Sequence, residues 1–148
     1  MRQMKKIWIV LVAAAFTACG TSDKNSPRIS AEESRKSLAD TANYTTIQWL
    51  DSTTQNLGKV KEGQVVEVRF RFKNTGDKNL IIENVSASCG CTVPETPDRP
   101  FAPGEEGVIK AKFDSNRRLG VNDKNVFVKA NTKTMQLHTL SFKVEVTE

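Results

Sequence analysis

"VVEVRFRFK" (residues 65–73) decides the fold. Val66, Val68, Phe70 and Phe72 fall in one phase of a two-residue period, and Glu67, Arg69, Arg71 and Lys73 fall in the other. Successive side chains of a strand point to opposite faces, so this stretch has one face for a core and one for water. The same alternation recurs downstream. "GVIKAKFD" (107–114) alternates Ile109, Ala111 and Phe113 with Lys110 and Lys112, and "LSFKVEV" (140–146) alternates Leu140, Phe142, Val144 and Val146 with Ser141, Lys143 and Glu145. "TTIQWL" (45–50), "NLIIENV" (79–85) and "NVFVKAN" (125–131) read as further strands.

Turn chemistry separates these runs. "NTGD" (74–77) follows the first, and "RRLG" (117–120) is another break. In "APGE" (102–105) Pro103 fixes φ and Gly104 accepts positive φ, the requirements of a type II turn. Short strands at this spacing, with no competing amphipathic helix, predict an all-β, immunoglobulin-like antiparallel β-sandwich of about seven strands over residues 44–148. Cys89 and Cys91 lie too close in sequence to be the inter-sheet bridge of antibody domains.

The N-terminus speaks to location. Arg2, Lys5 and Lys6 precede the apolar run Ile7 to Phe16, and the small residues Thr17 and Ala18 precede Cys19. That order is a secretory signal peptide over residues 1–18. Its apolar run is shorter than the roughly 20 residues a spanning helix needs. "FTAC" (16–19), with Phe16 where leucine is usual, resembles the bacterial lipoprotein box. The resemblance implies a diacylglyceryl group on the Cys19 thiol, and a further acyl chain such as palmitate on the amine freed by cleavage. Two or more chains anchor a protein stably to a bilayer, each buried CH₂ contributing about 0.8 kcal/mol. The expected location is the cell envelope, on the periplasmic or outer-membrane side, with membrane lipid as the first partner. The full chain carries a net charge of +5. Removing Arg2, Lys5 and Lys6 with the leader leaves 19 Lys+Arg against 17 Asp+Glu, a net +2. No basic stripe with interleaved aromatics is present, so nucleic-acid binding has no support.

Residues 19–43 read as a lipidated N-terminus and flexible tether. The stretch "GTSDKNSPRISAEESRKSLADTAN" (20–43) has too few large apolar groups to offset the entropy of ordering it. Ser30 followed by Glu33 makes a capping-box pattern for a short helix over roughly 31–40. As a coil the tether spans on the order of 25–30 Å root mean square.

"GKVKEG" (58–63), "FKNTG" (72–76), "SCGCT" (88–92), "PFAPGEEG" (100–107) and "IKAKFDS" (109–115), in this order and with a closing strand pair, resemble the bacterial domain-of-unknown-function 1573 family over about residues 45–147. The resemblance implies an immunoglobulin-like sandwich akin to major-sperm-protein and pilus-chaperone domains, often in lipid-anchored envelope proteins. It implies no activity.

Catalytic patterns are lacking. The single histidine, His138, reads as a solvated or edge residue of the last strand, and no phosphate loop, serine elbow or acid pair occurs. The expectation is therefore a non-enzymatic interaction or scaffold module that binds an envelope protein or glycan through strand edges or loops, with no cofactor. The alternative is a thiol–disulfide redox protein using Cys89 and Cys91.

For that pair, zinc is disfavoured: structural sites want four N/S ligands, and C-x-C with His138 offers three. With Cys19 consumed by lipid, Cys89 and Cys91 have only each other in an oxidising compartment. Fully extended, their Cα atoms would stand roughly 6.6–7 Å apart, the outer limit for a disulfide, and a bend at Gly90 brings them into range. So small a loop contributes little, about 1.6 kcal/mol by chain entropy. "SCGCT" thus reads as a structural corner leaving the 79–85 strand, its thiols packed or loosely bridged.

Replacing the lipidated position, Cys19→Ser, is expected to move the protein from the membrane pellet to the soluble envelope fraction. Retention in the pellet after a high-salt wash would refute anchoring at Cys19.

Overall fold

The computed structural model describes residues 40–148 together with Glu32 and Lys36, both of which are helical. The leader, Cys19 and most of the expected tether and short helix lie outside the described residues. Asp40 starts the continuous part by capping a 3₁₀ turn, Thr41–Asn43, its carboxylate accepting from Ala42 N–H.

Eight strands follow: β1 (Ile47–Trp49), β2 (Thr54–Lys61), β3 (Val65–Asn74), β4 (Ile82–Ala87), β5 (Thr92–Glu95), β6 (Glu106–Asp114), β7 (Gly120–Ala130) and β8 (Leu137–Thr147). They form two four-stranded sheets, β1-β3-β6-β5 and β2-β8-β7-β4. The sandwich predicted from alternation is present, with two differences. Eight strands stand in place of about seven: β2 and the short β5 join the six runs read from sequence, and neither has a long apolar run to announce it. The sheets are also not wholly antiparallel, because β2 runs parallel to the last strand, β8. The chain leaves β1 in one sheet and joins the edge of the other, and a crossing between sheets reaches β8 in that direction. A bulge between Asn56 and Lys59, with Gly58 at φ 75°, accommodates the twist of this edge.

Two boundaries also move. The strand expected over 79–85 begins at Ile82, because Ile81 N–H is taken by the buried Asn131 side chain, while Leu80 makes an isolated bridge to Phe101. The strand expected from 125 begins at Gly120. The type II turn forms as predicted, with Gly104 at φ 80° and Glu105 N–H donating to Ala102 O.

The core is the in-phase set. Val68, Phe70 and Phe72 from β3 and Ile109, Ala111 and Phe113 from β6 face Val126 and Val128 of β7 and Leu140, Phe142, Val144 and Val146 of β8, all buried. Phe113 and Phe142 meet across the sheets at 5.9 Å, and Phe72 packs edge-on to Phe101 at 4.9 Å. Gly107 lies opposite Phe72 in the ladder, and a Cβ there would overlap the Phe72 and Phe101 rings.

Register defines two ends. β3 pairs Val65 with Asp114 at one end and Lys73 with Glu106 at the other. The chain arrives from Asn43 at the Asn74 end, where Ile47 pairs with Asn74. Two fully buried asparagines tie this end together. Asn74 donates to Lys78 O and Phe101 O and accepts from Thr45 Oγ1, and Asn131 donates to Asn43 O and Asn79 O and accepts from Ile81 N–H. Every polar atom of both amides is satisfied. The opposite, distal end holds the 62–64 turn and the 115–119 loop.

Phe70→Ala is expected to cost about 3–5 kcal/mol in denaturant unfolding. Arg69→Ala, in the opposite phase, should stay within about 0.5 kcal/mol. Gly107→Ala should cost about 1–3 kcal/mol by overpacking; an unchanged midpoint would mean the Phe72–Phe101 contact is not as described.

Candidate functional site

The corner at Cys89–Cys91 lies between sheets. β4 is the edge of one sheet and β5 the edge of the other, and the chain crosses between them through Ser88–Cys91. Ser88 N–H donates to Asn125 O, Thr92 N–H to Cys89 O and Asp114 N–H to Cys91 O. The bend brings the two Cα atoms to 5.4 Å, and the sulfurs are bonded to each other. Cys91 is 7% exposed and part of the core, while Cys89 is only partly covered. The Thr92 hydroxyl lies 3.7 Å from Cys89 Sγ. Among the described residues no group of three or more His, Cys, Asp or Glu is arranged to hold a metal ion.

His138 departs from expectation. It is not a solvated edge residue: it is 8% exposed, on the inner phase of β8, with Trp49 edge-on at 5.8 Å. Thr132 Oγ1 donates to Met135 O, so its lone pairs accept from His138 Nε2–H at 2.9 Å. Burial pushes the His138 pKa below its ordinary value, with a hydrogen bond to the Met135 backbone opposing. A neutral imidazole that holds a loop is a structural role.

Some backbone groups along the sheet edges are taken by the chain's own side chains. On β2, Ser52 Oγ accepts from Thr54 N–H and donates to Thr54 O, Asn56 Oδ1 accepts from Gly58 N–H, and Gln64 Oε1 accepts from Lys61 N–H. On β4, Thr96 Oγ1 accepts from Val85 N–H. β5 carries Pro94, which has no N–H, and β1 is three residues long. Beyond β1, Asp51 takes Arg71 N–H and its guanidinium, and those hydrogen bonds hold the Asp51 carboxyl below its usual range. Such devices discourage strand addition.

Two shallow clefts offer little chemistry. One, of about 270 Å³, lies beside Arg99, which is engaged with Glu105 at 2.6 Å and with the Phe101 ring. The Arg99 guanidinium and the Ala102 N–H lower the Glu105 pKa. The other, of about 480 Å³, is bounded by Asn43, Asp77 and Pro103 at the tether end.

The distal end is different. Val65, Leu119 and Val121 are exposed there, all three by more than half. Arg117 adopts φ 57°, the left-handed region that a side chain with a Cβ rarely occupies, and Glu62 Oε1 accepts its N–H. A strained backbone of this kind persists only where its surroundings fix it, and it recurs at binding loops. Sequence reading marked "RRLG" only as a break; neither the Arg117 conformation nor its Glu62 partner has a local signature.

The family model described as "Protein of unknown function (DUF1573)" matches residues 48–146. No curated protein matches the chain. Among solved structures, a protein of unknown function from Porphyromonas gingivalis W83 is similar at a TM-score of 0.62 and 14% identity, over 72% of this chain and 49% of that one, so the chain spans about half its length. The ASH/PapD-like domain 7 of human CEP192 is similar at 0.53 and 11% identity, over 72% of this chain and 87% of that domain. The YadV chaperone is similar at 0.50 and 14% identity, over 69% and 52%. These likenesses concern the fold alone.

Because the folded state holds His138 neutral with a lowered pKa, the unfolded chain binds more protons just below the ordinary histidine value near 6.5. Stability should be full above that value and fall as pH drops through it. Denaturant melts between about pH 7.5 and about pH 5.5 should show this decline, and His138→Gln should flatten it. The same slope in the variant would remove His138 as its source.

Proposed function

From the premise that the chain belongs to the DUF1573 family, proteins of unknown function, we propose that it is a non-enzymatic interaction module, lipid-anchored in the cell envelope, which presents its distal loops to a protein or glycan partner. The observation that carries this reading is polarity along the strands. The chain enters at the Asn74–Asn131 end, while the 62–64 and 115–119 loops, with exposed Leu119, Val121, Arg117 and Arg118, lie at the opposite end. The ten residues of β3 separate the two ends by roughly 30 Å.

The anchor rests on the residue order before Cys19. Among the described residues no helix is long and apolar enough to cross a membrane. The loop preference rests on the self-satisfied edges. Binding by loops also suits a sandwich several of whose charges are taken up in pairs, such as Arg71–Asp51, Arg99–Glu105 and Lys129–Glu83.

A photo-crosslinking residue placed at Leu119 in the full chain is expected to give a discrete adduct in cells, and the same residue at Asp77, beside the tether, is expected to give none. Leu119→Asp should abolish an adduct formed from Val121 without shifting the melting temperature. Adducts confined to the Asp77 position would reverse the proposed orientation.

A further inference from the structure

The Cys89–Cys91 bridge closes a loop around one intervening residue, and the corner is held without it. The hydrogen bonds from Ser88, Thr92 and Asp114 run through the backbone and do not depend on the sulfur bond. The two sulfurs are unequal in access: Cys91 belongs to the core, and Cys89 is partly exposed. Gly90 is exposed, and a Cβ built on it meets nothing within 4 Å, so the space over the corner is open. A bridge that holds little and can be reached is suited to exchange.

We propose that Cys89–Cys91 is a thiol–disulfide exchange site whose substrate is a dithiol on another protein. This goes beyond the interaction reading and stands without it. One thiolate of the dithiol attacks Cys89 Sγ in line with the bridge. The bond between the partner sulfur and Cys89 forms as the Cys89–Cys91 bond breaks, and Cys91 leaves with the electron pair and takes a proton from water. The second partner thiol, deprotonated, then attacks the partner sulfur of the mixed disulfide. Cys89 leaves as thiolate and is protonated in turn. The partner loses two electrons and two protons and gains a disulfide, and the Cys89/Cys91 pair is reduced. The Thr92 hydroxyl, 3.7 Å from Cys89 Sγ, is placed to donate to the thiolate that leaves in the second step. Access thus assigns Cys89 as the attacked sulfur and Cys91 as the buried leaving group.

The test uses the oxidised full chain with a reduced peptide bearing two cysteines. Each cysteine is read by mass spectrometry, so that Cys19 does not contribute. Peptide disulfide should appear in step with loss of the Cys89–Cys91 bridge under native conditions, and the Cys89→Ser/Cys91→Ser chain should produce none. Cys91→Ser should take up glutathione from its disulfide at Cys89 at least about tenfold faster than Cys89→Ser does at Cys91. Thr92→Val, which keeps both cysteines, should prolong the mixed disulfide. A bridge that survives excess dithiol until the fold is melted overturns the proposal. Equal uptake at the two sulfurs overturns the assignment of Cys89, as does a Thr92→Val chain with unchanged kinetics for the role of the hydroxyl.

Discussion

Everything in this protein depends on two sheets burying one face each against the other. Hydrogen bonds within a sheet contribute only about 0.5–1.5 kcal/mol each when the alternative is water, and they do not join one sheet to the other; burial of apolar surface does. The inner phase of β3, β6, β7 and β8 supplies the apolar surface, and the aromatic rings of Phe72, Phe101, Phe113 and Phe142 fill the gap between layers. That requirement fixes register. A slip of one residue in β3 would turn Phe70 and Phe72 to solvent and bring Arg69 and Arg71 inward, which no partner inside could compensate. It also dictates the glycine opposite Phe72, where two rings already occupy the space of a side chain.

The same dependence explains how far the fold was legible. Val66 to Phe72, Ile109 to Phe113 and Leu140 to Val146 declare strands because burial on one face alone imposes strict alternation. β2 lacks that declaration: its inward groups are Gln55, Leu57 and Val60, interrupted by the Gly58 bulge, and its parallel pairing with β8 joins residues far apart in the chain. β5 is four residues long and contains a proline, which argues against a strand in general and is tolerated at an edge. His138 was misread for a related reason. A lone polar residue beside an alternating run looks exposed, yet its phase places it inside, and the preceding loop provides the polar partners, Thr132 and the Met135 backbone, that make burial tolerable.

The candidate sites show the limit in another form. The bend at Gly90 and the closeness of Cys89 and Cys91 follow from three residues, so that corner was readable. Which sulfur faces outward was not, because it depends on how two sheet edges stack. The distal loop was less readable still. Arg117 takes a left-handed backbone through a carboxylate that is 55 residues away in the chain, on Glu62. The self-satisfied edges likewise come from Ser52, Asn56, Gln64 and Thr96, ordinary polar residues whose significance lies in where the backbone turns beside them.

The parallel pairing of β2 with β8 has a mechanical consequence. The N-terminal segment leaves at one end of the sandwich and the C-terminus at the other, and β1 and β2 are the first elements a pull from the N-terminus would load. With the distal end held, that force runs along the strands. The β1–β3 and β2–β8 hydrogen bonds then resist in shear, all bearing load together, where a hairpin pulled from its open end would unzip one bond at a time. Extension of such a domain along this axis should therefore end in one abrupt rupture and not in a series of small ones.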